Sequence, residues 1–266
     1  MSVVAASGIE RIAAAFAGSG KHAALMPYLM GGFPDLATSR SIGEAYVDAG
    51  ADLVELGVPF SDPLADGPVI QAAGTDALRA GATPDGVLEV AAALARRLPV
   101  VLMCYTNVLL AQGGDRFVQR LADAGASGLI VPDMPLEEAP ALRDACDASG
   151  VALVPLVAPT TPDDRLAEIG REARGFLYAV SVIGTTGERV HFQEGLEELI
   201  ARSAAHAGVP VAVGFGISTP AQADVAARAG ADGVIVGTRL VRAAAEADDA
   251  PAAVRALVAE FASALC

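Results

Sequence analysis

Three carboxylates follow one another closely in the segment VELGVPFSDPLADGP at residues 54–68. Glu55 lies within an apolar run that predicts a buried strand, and Asp62 and Asp66 lie in the turn-rich loop after it. A buried carboxylate costs several kcal/mol unless it is paired or protonated. The pattern indicates general acid–base chemistry, with an ion pair at Glu55 and turn capping by the aspartates as the structural alternatives.

The composition limits the other kinds of chemistry. Lys21 is the only lysine and the three histidines have no ligand spacing, so Schiff-base chemistry and a histidine-rich metal centre are poorly provided for. The net charge of −14 argues against nucleic acid and anionic membranes as partners. We expect no membrane span and no signal peptide. The three cysteines form no disulfide or metal pattern, which favours a cytoplasmic location.

Short apolar segments alternate with helical patterns along the whole chain. The segments predict eight parallel strands at 24–30, 53–56, 100–104, 128–131, 152–156, 175–182, 211–214 and 233–236. The main helices are predicted at 39–48, 84–97, 115–124, 136–148, 162–171, 195–207, 220–229 and 251–265. Thr38 and Thr83 are the expected N-caps of the first two.

An internal repeat supports a closed barrel. Three helices are predicted to end at Ala-Gly-Ala and to lead directly into a strand, with the glycine as C-cap. Eight strands without a break in composition favour one (β/α)8 barrel domain over residues 1–266, and a doubly wound sheet is the alternative. The loops that follow the strands of such a barrel form its catalytic face, and the long ones run from Gly57 to about Ala73 and from Ile183 to about Glu194.

Glycines after the last two strands predict a phosphate site. Gly214 and Gly216 end the seventh strand, and Gly237 and Thr238 end the eighth, where a short helix begins. Barrels frequently bind phosphate at this place with backbone N–H groups. Gly184 in the second long loop adds a further donor, while tight turns and N-capping by Thr238 are the alternative roles.

These residues carry a resemblance to a known family. The segment at 54–68 is similar to the signature of the tryptophan synthase α-subunit family, and the likeness covers nearly the whole chain. It continues through MPYLMGGFPD, MCYTN, VPDMPLEE, FLYAVSVIGTTG, GFGIS and VIVGT.

The resemblance implies a fold and an activity. The fold is a single (β/α)8 TIM barrel with an extra N-terminal helix and a short phosphate-binding helix after strand eight. The activity is retro-aldol cleavage of indole-3-glycerol phosphate to indole and glyceraldehyde 3-phosphate in tryptophan biosynthesis, by two carboxylates and no metal. No cofactor is expected in this chain, and pyridoxal phosphate is expected only in a partner β subunit, within an α2β2 heterotetramer.

The resemblance also assigns roles to residues. Glu55 and Asp66 match the two catalytic carboxylates. The implied substrate-binding residues are Tyr28, Met103, Tyr178, Thr186, Gly184, Gly216, Gly237 and Thr238. The positions implied to face the β subunit are Pro59, Asp62, Asn107 and Pro135.

Several positions depart from the family pattern. Val182 and Thr185 replace an Arg and a Val at the entry to the second long loop, and Met30 stands where Thr is common. These changes bear on how that loop closes and on coupling to a β subunit. They leave open a free-standing lyase that releases indole and an inactive barrel that serves as a partner-binding module, and retention of both carboxylates speaks against the latter.

Overall fold

The structure is a computed structural model that describes residues 6–180, 195–214 and 216–266. Within these ranges the strands form one parallel sheet. They are β1 Ala24–Met30, β2 Val54–Gly57, β3 Val100–Met103, β4 Gly128–Ile130, β5 Ala152–Val154, β6 Leu156–Val157, β7 Leu177–Val180, β8 Val211–Gly214 and β9 Gly233–Val236.

Helices follow the strands, and α1 precedes them all. The helices are α1 Gly8–Gly18, α2 Leu36–Asp48, α3 Pro68–Arg79, α4 Pro84–Leu94, α5 Thr106–Ala111, α6 Asp115–Asp123, α7 Pro140–Ser149, α8 Asp163–Glu172, α9 Leu196–His206, α10 Pro220–Arg228, α11 Thr238–Glu246 and α12 Ala250–Ala264. None of these described helices is both long and apolar enough to cross a membrane.

The sheet closes into a barrel, as the sequence predicts. β1 pairs with both β2 and β9, and the two ends of the hydrogen-bonded order are β5 and β6. These two strands are consecutive segments of chain separated by Pro155, whose carbonyl accepts from the Tyr178 N–H at 3.0 Å. Proline has no N–H to donate, so the predicted fifth strand is divided here. The closed order excludes the doubly wound sheet.

The N-terminus of α2 differs from the sequence prediction for a reason of capping, whereas that of α4 agrees with it. α2 begins at Leu36 because Asp35, not Thr38, is its N-cap and accepts from the Thr38 N–H at 2.9 Å. The predicted cap at Thr83 is confirmed, since its side chain accepts from the Gly86 N–H.

The first long loop is shorter than predicted. It ends at Gly67, because Pro68 occupies the first position of α3, where a missing N–H costs nothing. The predicted helix at 136–148 is also two elements, the 3-10 turn Leu136–Glu138 and α7, which starts at Pro140. Helix α5 is a further element that the sequence pattern does not predict.

The repeated Ala-Gly-Ala ends are confirmed as helix terminations. Gly50, Gly125 and Gly230 follow the last turns of α2, α6 and α10 with φ of 97°, 76° and 97°. Only glycine adopts these angles without strain, so each helix stops and the chain enters the next strand at once.

Helix α1 closes the N-terminal end of the barrel. A Cβ at Gly128 or Gly175 would lie 3.2 or 3.0 Å from Ile12 Cδ1, and a Cβ at Gly233 would lie 2.7 Å from the Phe16 ring. Ile12 is fully buried. Glycines on the inner face of the barrel therefore make the space that the apolar side chains of α1 fill.

Arg11 fastens α1 to the helices around it. Its guanidinium donates to the carbonyls of Gly125 at 2.8 Å, Leu98 at 3.0 Å and Ala95. These carbonyls stand at the ends of α4 and α6, where the backbone lacks helical partners. The closed end is thus held by hydrogen bonds as well as by apolar packing.

Candidate active site

Glu55 lies on the inner face of the barrel in β2. It stands opposite Tyr28 of β1 and Val101 of β3 in the parallel register, and only 2% of its surface is exposed. Its neighbours Val54 and Leu56 are fully buried. The apolar run predicted as a strand thus carries one carboxyl group into the interior, and no cation pairs with it among the described residues.

Burial sets the protonation state of Glu55. It raises the pKa of this carboxyl to about 8, with the negative charge of Asp66 adding to the shift and a hydrogen bond from the Tyr178 hydroxyl opposing it. The second oxygen, Oε2, is buried and has no hydrogen-bond partner within the described residues. Glu55 is therefore protonated at neutral pH and has one oxygen uncommitted.

Asp66 reaches the same interior from the loop between β2 and α3. It is 4% exposed, and burial raises its pKa to about 6, against a hydrogen bond from Tyr105 that lowers it. Its backbone is fixed as well, since Gln71 Nε2 donates to the Asp66 carbonyl at 2.8 Å. At neutral pH, Asp66 is mainly ionised beside a protonated Glu55.

Asp62, the third carboxylate of the segment, does not join them. Its side chain is exposed and accepts from the Ser61 hydroxyl at 2.6 Å. This is the turn role that the residue type favours.

Two tyrosines border the carboxylates, and each leans over a glycine of the next strand. A Cβ at Gly57 would lie 2.1 Å from the Tyr28 hydroxyl, and a Cβ at Gly214 would lie 2.4 Å from the Tyr178 hydroxyl. Both tyrosines are almost completely buried. The absence of a side chain at these glycines lets two hydroxyls reach the interior near Glu55.

Met103 and Met30 lie on the same side of the sheet. Gly57 of β2 stands between them in the register, opposite Met103 of β3 on one side and Met30 of β1 on the other. The Met30 sulfur lies 3.9 Å from the Tyr28 hydroxyl. Met103 therefore shares the face of the sheet that carries Glu55 and Tyr28, two residues along β3 from Val101, the register partner of Glu55.

The predicted phosphate residues lie at the ends of β8 and β9. Gly216 has a φ of 94°, and Gly237 is the N-cap of α11, whose first turn begins with Thr238 and holds no acidic residue. A Cβ at Gly237 would lie 3.6 Å from the Tyr28 Cβ. The N-terminus of α11 therefore meets the carboxylate pocket at Tyr28. Gly184 and Thr186, with Val182 and Thr185, lie outside the described residues.

Asp133, which follows β4, is a further acidic candidate at this end of the barrel, and its contacts give it a structural role. Its carboxylate accepts from the Thr106 N–H and hydroxyl, both at 2.9 Å, and so fixes the start of α5.

Within the described ranges no group of three His, Cys, Asp or Glu side chains could hold a metal ion.

Tyr105 directly precedes Thr106, and its position after the third predicted strand indicates either barrel packing with a satisfied hydroxyl or the lining of a pocket. Its hydroxyl accepts from the Ala65 N–H at 3.1 Å and lowers the pKa of Asp66, two partners that sequence reasoning did not identify. The only signal in the sequence is an aromatic residue immediately after a buried strand. Its partners lie 40 residues away in the chain, and no local pattern reveals them.

The positions matched to a partner surface are mostly exposed. Asp62, Asn107 and Pro135 are exposed on the loops and helix that follow β2, β3 and β4, whereas Pro59 is buried. Leu64 and Leu110, at the same end of the barrel, are 81% and 61% exposed.

Comparison with known proteins gives a consistent result. The family model described as tryptophan synthase alpha chain matches residues 15–265. The tryptophan synthase alpha chain of a Synechococcus strain is 52% identical over 226 residues, which is 84% of each chain. That of Gloeobacter violaceus is 47% identical over 93% of this chain and 90% of its own.

Solved structures agree with the sequence relatives. A chain in a structure of Mycobacterium tuberculosis tryptophan synthase superposes with a TM-score of 0.90 and 38% identity, over 98% of this chain and 99% of that one. A tryptophan synthase alpha chain from Legionella pneumophila gives 0.87 and 33%, over 98% of each. By fold, site geometry and sequence, this chain belongs to the tryptophan synthase alpha chain family.

Proposed function

We propose that Glu55 and Asp66 are the acid–base pair that cleaves indole-3-glycerol phosphate in this protein. The chain is a carbon–carbon lyase of tryptophan biosynthesis, and it converts this substrate to indole and glyceraldehyde 3-phosphate. The observation that carries the assignment is the burial of both carboxyl groups, which raises the pKa of Glu55 to about 8 and that of Asp66 to about 6.

Glu55 supplies and recovers the proton that moves. It donates a proton to C3 of the indole ring, which makes the ring an electron sink. The bond between C3 and C3′ then breaks, and the electron pair of that bond returns to the indole ring. At the same time the Glu55 carboxylate accepts the proton of the C3′ hydroxyl, which becomes the aldehyde oxygen. The products are indole and an aldehyde, and Glu55 ends protonated, as it began. Desolvation keeps the proton available at neutral pH.

Asp66 acts on the other end of the ring. Its carboxylate accepts a hydrogen bond from indole N1–H and stabilises the positive charge that forms there when C3 is protonated. This role needs an ionised group, which a pKa of about 6 provides. Tyr28, Tyr178 and Met103 line the pocket around the ring and side chain.

The phosphate group is assigned to the ends of β8 and β9. Backbone N–H groups at Gly216 and Gly237, with the Thr238 hydroxyl, bind the anion at the N-terminus of α11, where the helix dipole favours negative charge. Gly184 and Thr186 complete the proposed substrate set from the second long loop.

The carboxylate pair is tested by substitution and by pH. Glu55→Gln and Asp66→Asn keep the shapes of the side chains, and each should lower kcat by about 10²–10⁴. The wild-type profile of kcat/KM should be bell-shaped, with limbs near pH 6 and pH 8. The matched control is Glu89→Gln, an exposed residue of α4, which should keep the wild-type rate. Near wild-type turnover in Glu55→Gln or Asp66→Asn would refute the corresponding role.

The phosphate assignment is tested at Gly237. Its φ of −113° is open to any residue, and a Cβ there has only ordinary contacts with Tyr28. Gly237→Asp should therefore fold and should raise KM about 10-fold or more through charge repulsion. Gly237→Asn has the same size without the charge and should raise KM less. Equal KM values in the two variants would contradict the placement of the phosphate.

A β subunit is the proposed partner. The exposed Leu64 and Leu110, together with Asp62, Asn107 and Pro135, lie at the barrel end that holds the carboxylates. We propose an α2β2 assembly in which pyridoxal phosphate belongs to the β subunit. Because Glu55 and Asp66 account for the proton transfers, this chain is assigned no cofactor of its own.

Titration with the cognate β subunit tests the partner. Glyceraldehyde 3-phosphate production should rise until the subunits are equimolar, and Leu64→Asp should weaken that response. High turnover alone, with no response to saturating β subunit, would instead identify a free-standing lyase.

The chain is further proposed to be one domain in the cytoplasm. A single apolar core contains residues from Ile12 to Leu265, which supports one domain over residues 1–266. Cys104, Cys146 and Cys266 are free thiols, which suits a reducing compartment.

A further inference from the structure

We propose that Tyr105 is a positioning residue, whose hydroxyl holds the loop after β2 in the one conformation that aims the Asp66 carboxylate into the barrel. The proposal rests on the proposed function, because it gives a task to a residue that acts only through Asp66.

The contacts of Tyr105 join two loops of the barrel. Its hydroxyl accepts from the Ala65 N–H at 3.1 Å, and it faces the Asp66 carboxylate closely enough to lower the pKa of that group. One hydroxyl thus holds the backbone just before the carboxylate and acts on the carboxylate itself. Loss of this oxygen would free the peptide and the side chain together, since Asp66 is otherwise held at its backbone by Gln71.

Tyr105 is itself rigidly placed. Tyr105 is 2% exposed, and the centre of its ring lies 5.4 Å from that of Phe60, which is in the loop after β2 that also carries Asp66. It is the N-cap residue of α5, and the next residue, Thr106, is held by Asp133 through two hydrogen bonds of 2.9 Å. A chain of fixed contacts therefore runs from the loop after β4 through the start of α5 to Asp66.

The loop around Asp66 needs such an anchor. Leu64 is 81% exposed and Asp62 is exposed, so much of the segment between β2 and α3 lies against solvent. Apart from the Tyr105 and Gln71 contacts, the described hydrogen bonds of this turn include one from the Asp66 N–H to the Pro63 carbonyl at 3.3 Å. A catalytic group on a loop must be held by packed neighbours, or it loses the geometry that catalysis needs.

The hydrogen bond also tunes the charge on Asp66. It favours the ionised form and lowers the pKa of Asp66, while burial raises that pKa. The titratable groups that face this region are Glu55 of β2, Tyr28 of β1, Tyr178 of β7 and Tyr105. Removal of the Tyr105 hydroxyl leaves the effect of burial unopposed, so the Asp66 pKa should rise.

The test is Tyr105→Phe in the full chain, with Tyr46→Phe as the matched control. Phenylalanine keeps the ring and its contact with Phe60. Tyr46 is an equally buried tyrosine whose hydroxyl donates to the Tyr28 backbone carbonyl at 3.2 Å, and it is not among the groups that shift the pKa of Glu55 or Asp66. The measurements are kcat and KM against pH, the unfolding midpoint, and the carboxyl titration of Asp66 by carbon NMR, assigned by comparison with Asp66→Asn.

In Tyr105→Phe we expect kcat to fall about 10- to 100-fold, as for loss of a hydrogen bond to a charged group. The acid limb of the rate profile and the NMR titration of Asp66 should both move upward from about pH 6. Tyr46→Phe should show the wild-type limb and the wild-type titration. At a pH well above the shifted limb, part of the rate loss should remain, because misplacement of Asp66 is not corrected by ionisation.

Two results would overturn the proposal. If Tyr105→Phe lowers the unfolding midpoint as Tyr46→Phe does but leaves kcat and the Asp66 titration unchanged, Tyr105 is only structural. That result leaves the proposed function intact, provided that Asp66→Asn is inactive. If Asp66→Asn itself turns over at the wild-type rate, the catalytic role of Asp66 fails and the positioning role fails with it.

Discussion

The two ends of the barrel use the same device for opposite purposes. At the N-terminal end, inward-facing glycines at Gly128 and Gly233 leave space that Ile12 and Phe16 of α1 fill with hydrocarbon. At the C-terminal end, Gly57 and Gly214 leave space for the hydroxyls of two tyrosines beside Glu55. One end is closed and packed, and the other is a pocket lined by polar groups.

The difference shows how one fold separates stability from chemistry. The closed end gains free energy by burying apolar surface and by the hydrogen bonds of Arg11. The open end buries two carboxyl groups, which costs folding free energy and raises both pKa values. Substitutions at the first end should change unfolding, and substitutions at the second should change turnover.

The largest predicted stability effect is the pH dependence caused by Glu55. Its pKa is 4.5 as a free group and about 8 in the folded chain, so the folded state binds the proton more tightly. Stability should therefore fall as pH rises from about 4.5 to about 8, by on the order of 1.4 kcal/mol per unit of pKa difference. Urea unfolding of wild type and Glu55→Gln at pH 5, 6.5 and 8 measures this, and the variant should lose the Glu55 part of the slope. A variant with the wild-type slope would contradict the buried, protonated Glu55.

The second prediction concerns the closed end. Ile12→Ala removes a fully buried side chain and should lower the free energy of unfolding by about 2–5 kcal/mol. Below the unfolding transition, kcat and KM should equal those of wild type, because Ile12 lies on α1 and is not among the groups that shift the pKa of Glu55 or Asp66. A large fall in kcat with the fold intact would show that the two ends are not separate.

The third prediction compares a glycine from each end. Gly57→Ala places a methyl 2.1 Å from the Tyr28 hydroxyl and should cost about 1–3 kcal/mol and raise KM. Gly128→Ala places its methyl 3.2 Å from the terminal carbon of Ile12, which can move by a few tenths of an ångström. Its cost should be smaller, without a change in KM. Calorimetry and steady-state assays of the pair decide this, and equal effects on KM would contradict the polar pocket.

The smallest predicted effect is at Arg11. Arg11→Met removes the donors to three backbone carbonyls at the helix ends and should cost about 1 kcal/mol with unchanged turnover. Arg79→Met is the control, since Arg79 is 76% exposed and pairs only with Asp76 among the described residues. This control substitution should change the free energy of unfolding by no more than about 0.5 kcal/mol.

Local signals in the sequence predicted most of the fold. β1, β8 and β9 have the predicted bounds, because short apolar runs between glycines, prolines and aspartates define strands of a covered sheet. The errors fall where two local signals compete. Asp35 and Thr38 are both capping residues, and only the structure shows that Asp35 caps α2 while Thr38 donates its N–H.

The site was predictable to the extent that it is local in the chain. The sequence placed Glu55 and Asp66 on one strand and its loop, and the structure brings both into the same interior. It could not predict that Tyr178 and Tyr105 would donate to them, because those contacts join residues from distant strands. Nor did it distinguish Asp62 from Asp66 by physics alone, since both stand in turns and only burial separates them.

The division of the fifth strand at Pro155 has a consequence for aggregation. Among the described strands, only the end strands β5 and β6 have a single hydrogen-bonded neighbour, and in the intact chain these two ends lie together, so neither is an open edge for another molecule. β5 and β6 are not hydrogen-bonded to each other, and only the chain through Pro155 joins the two ends of the sheet. A single cleavage at this point would leave two unprotected edges on a sheet of apolar strands. The intact peptide at Pro155 is thus a safeguard against intermolecular β-pairing.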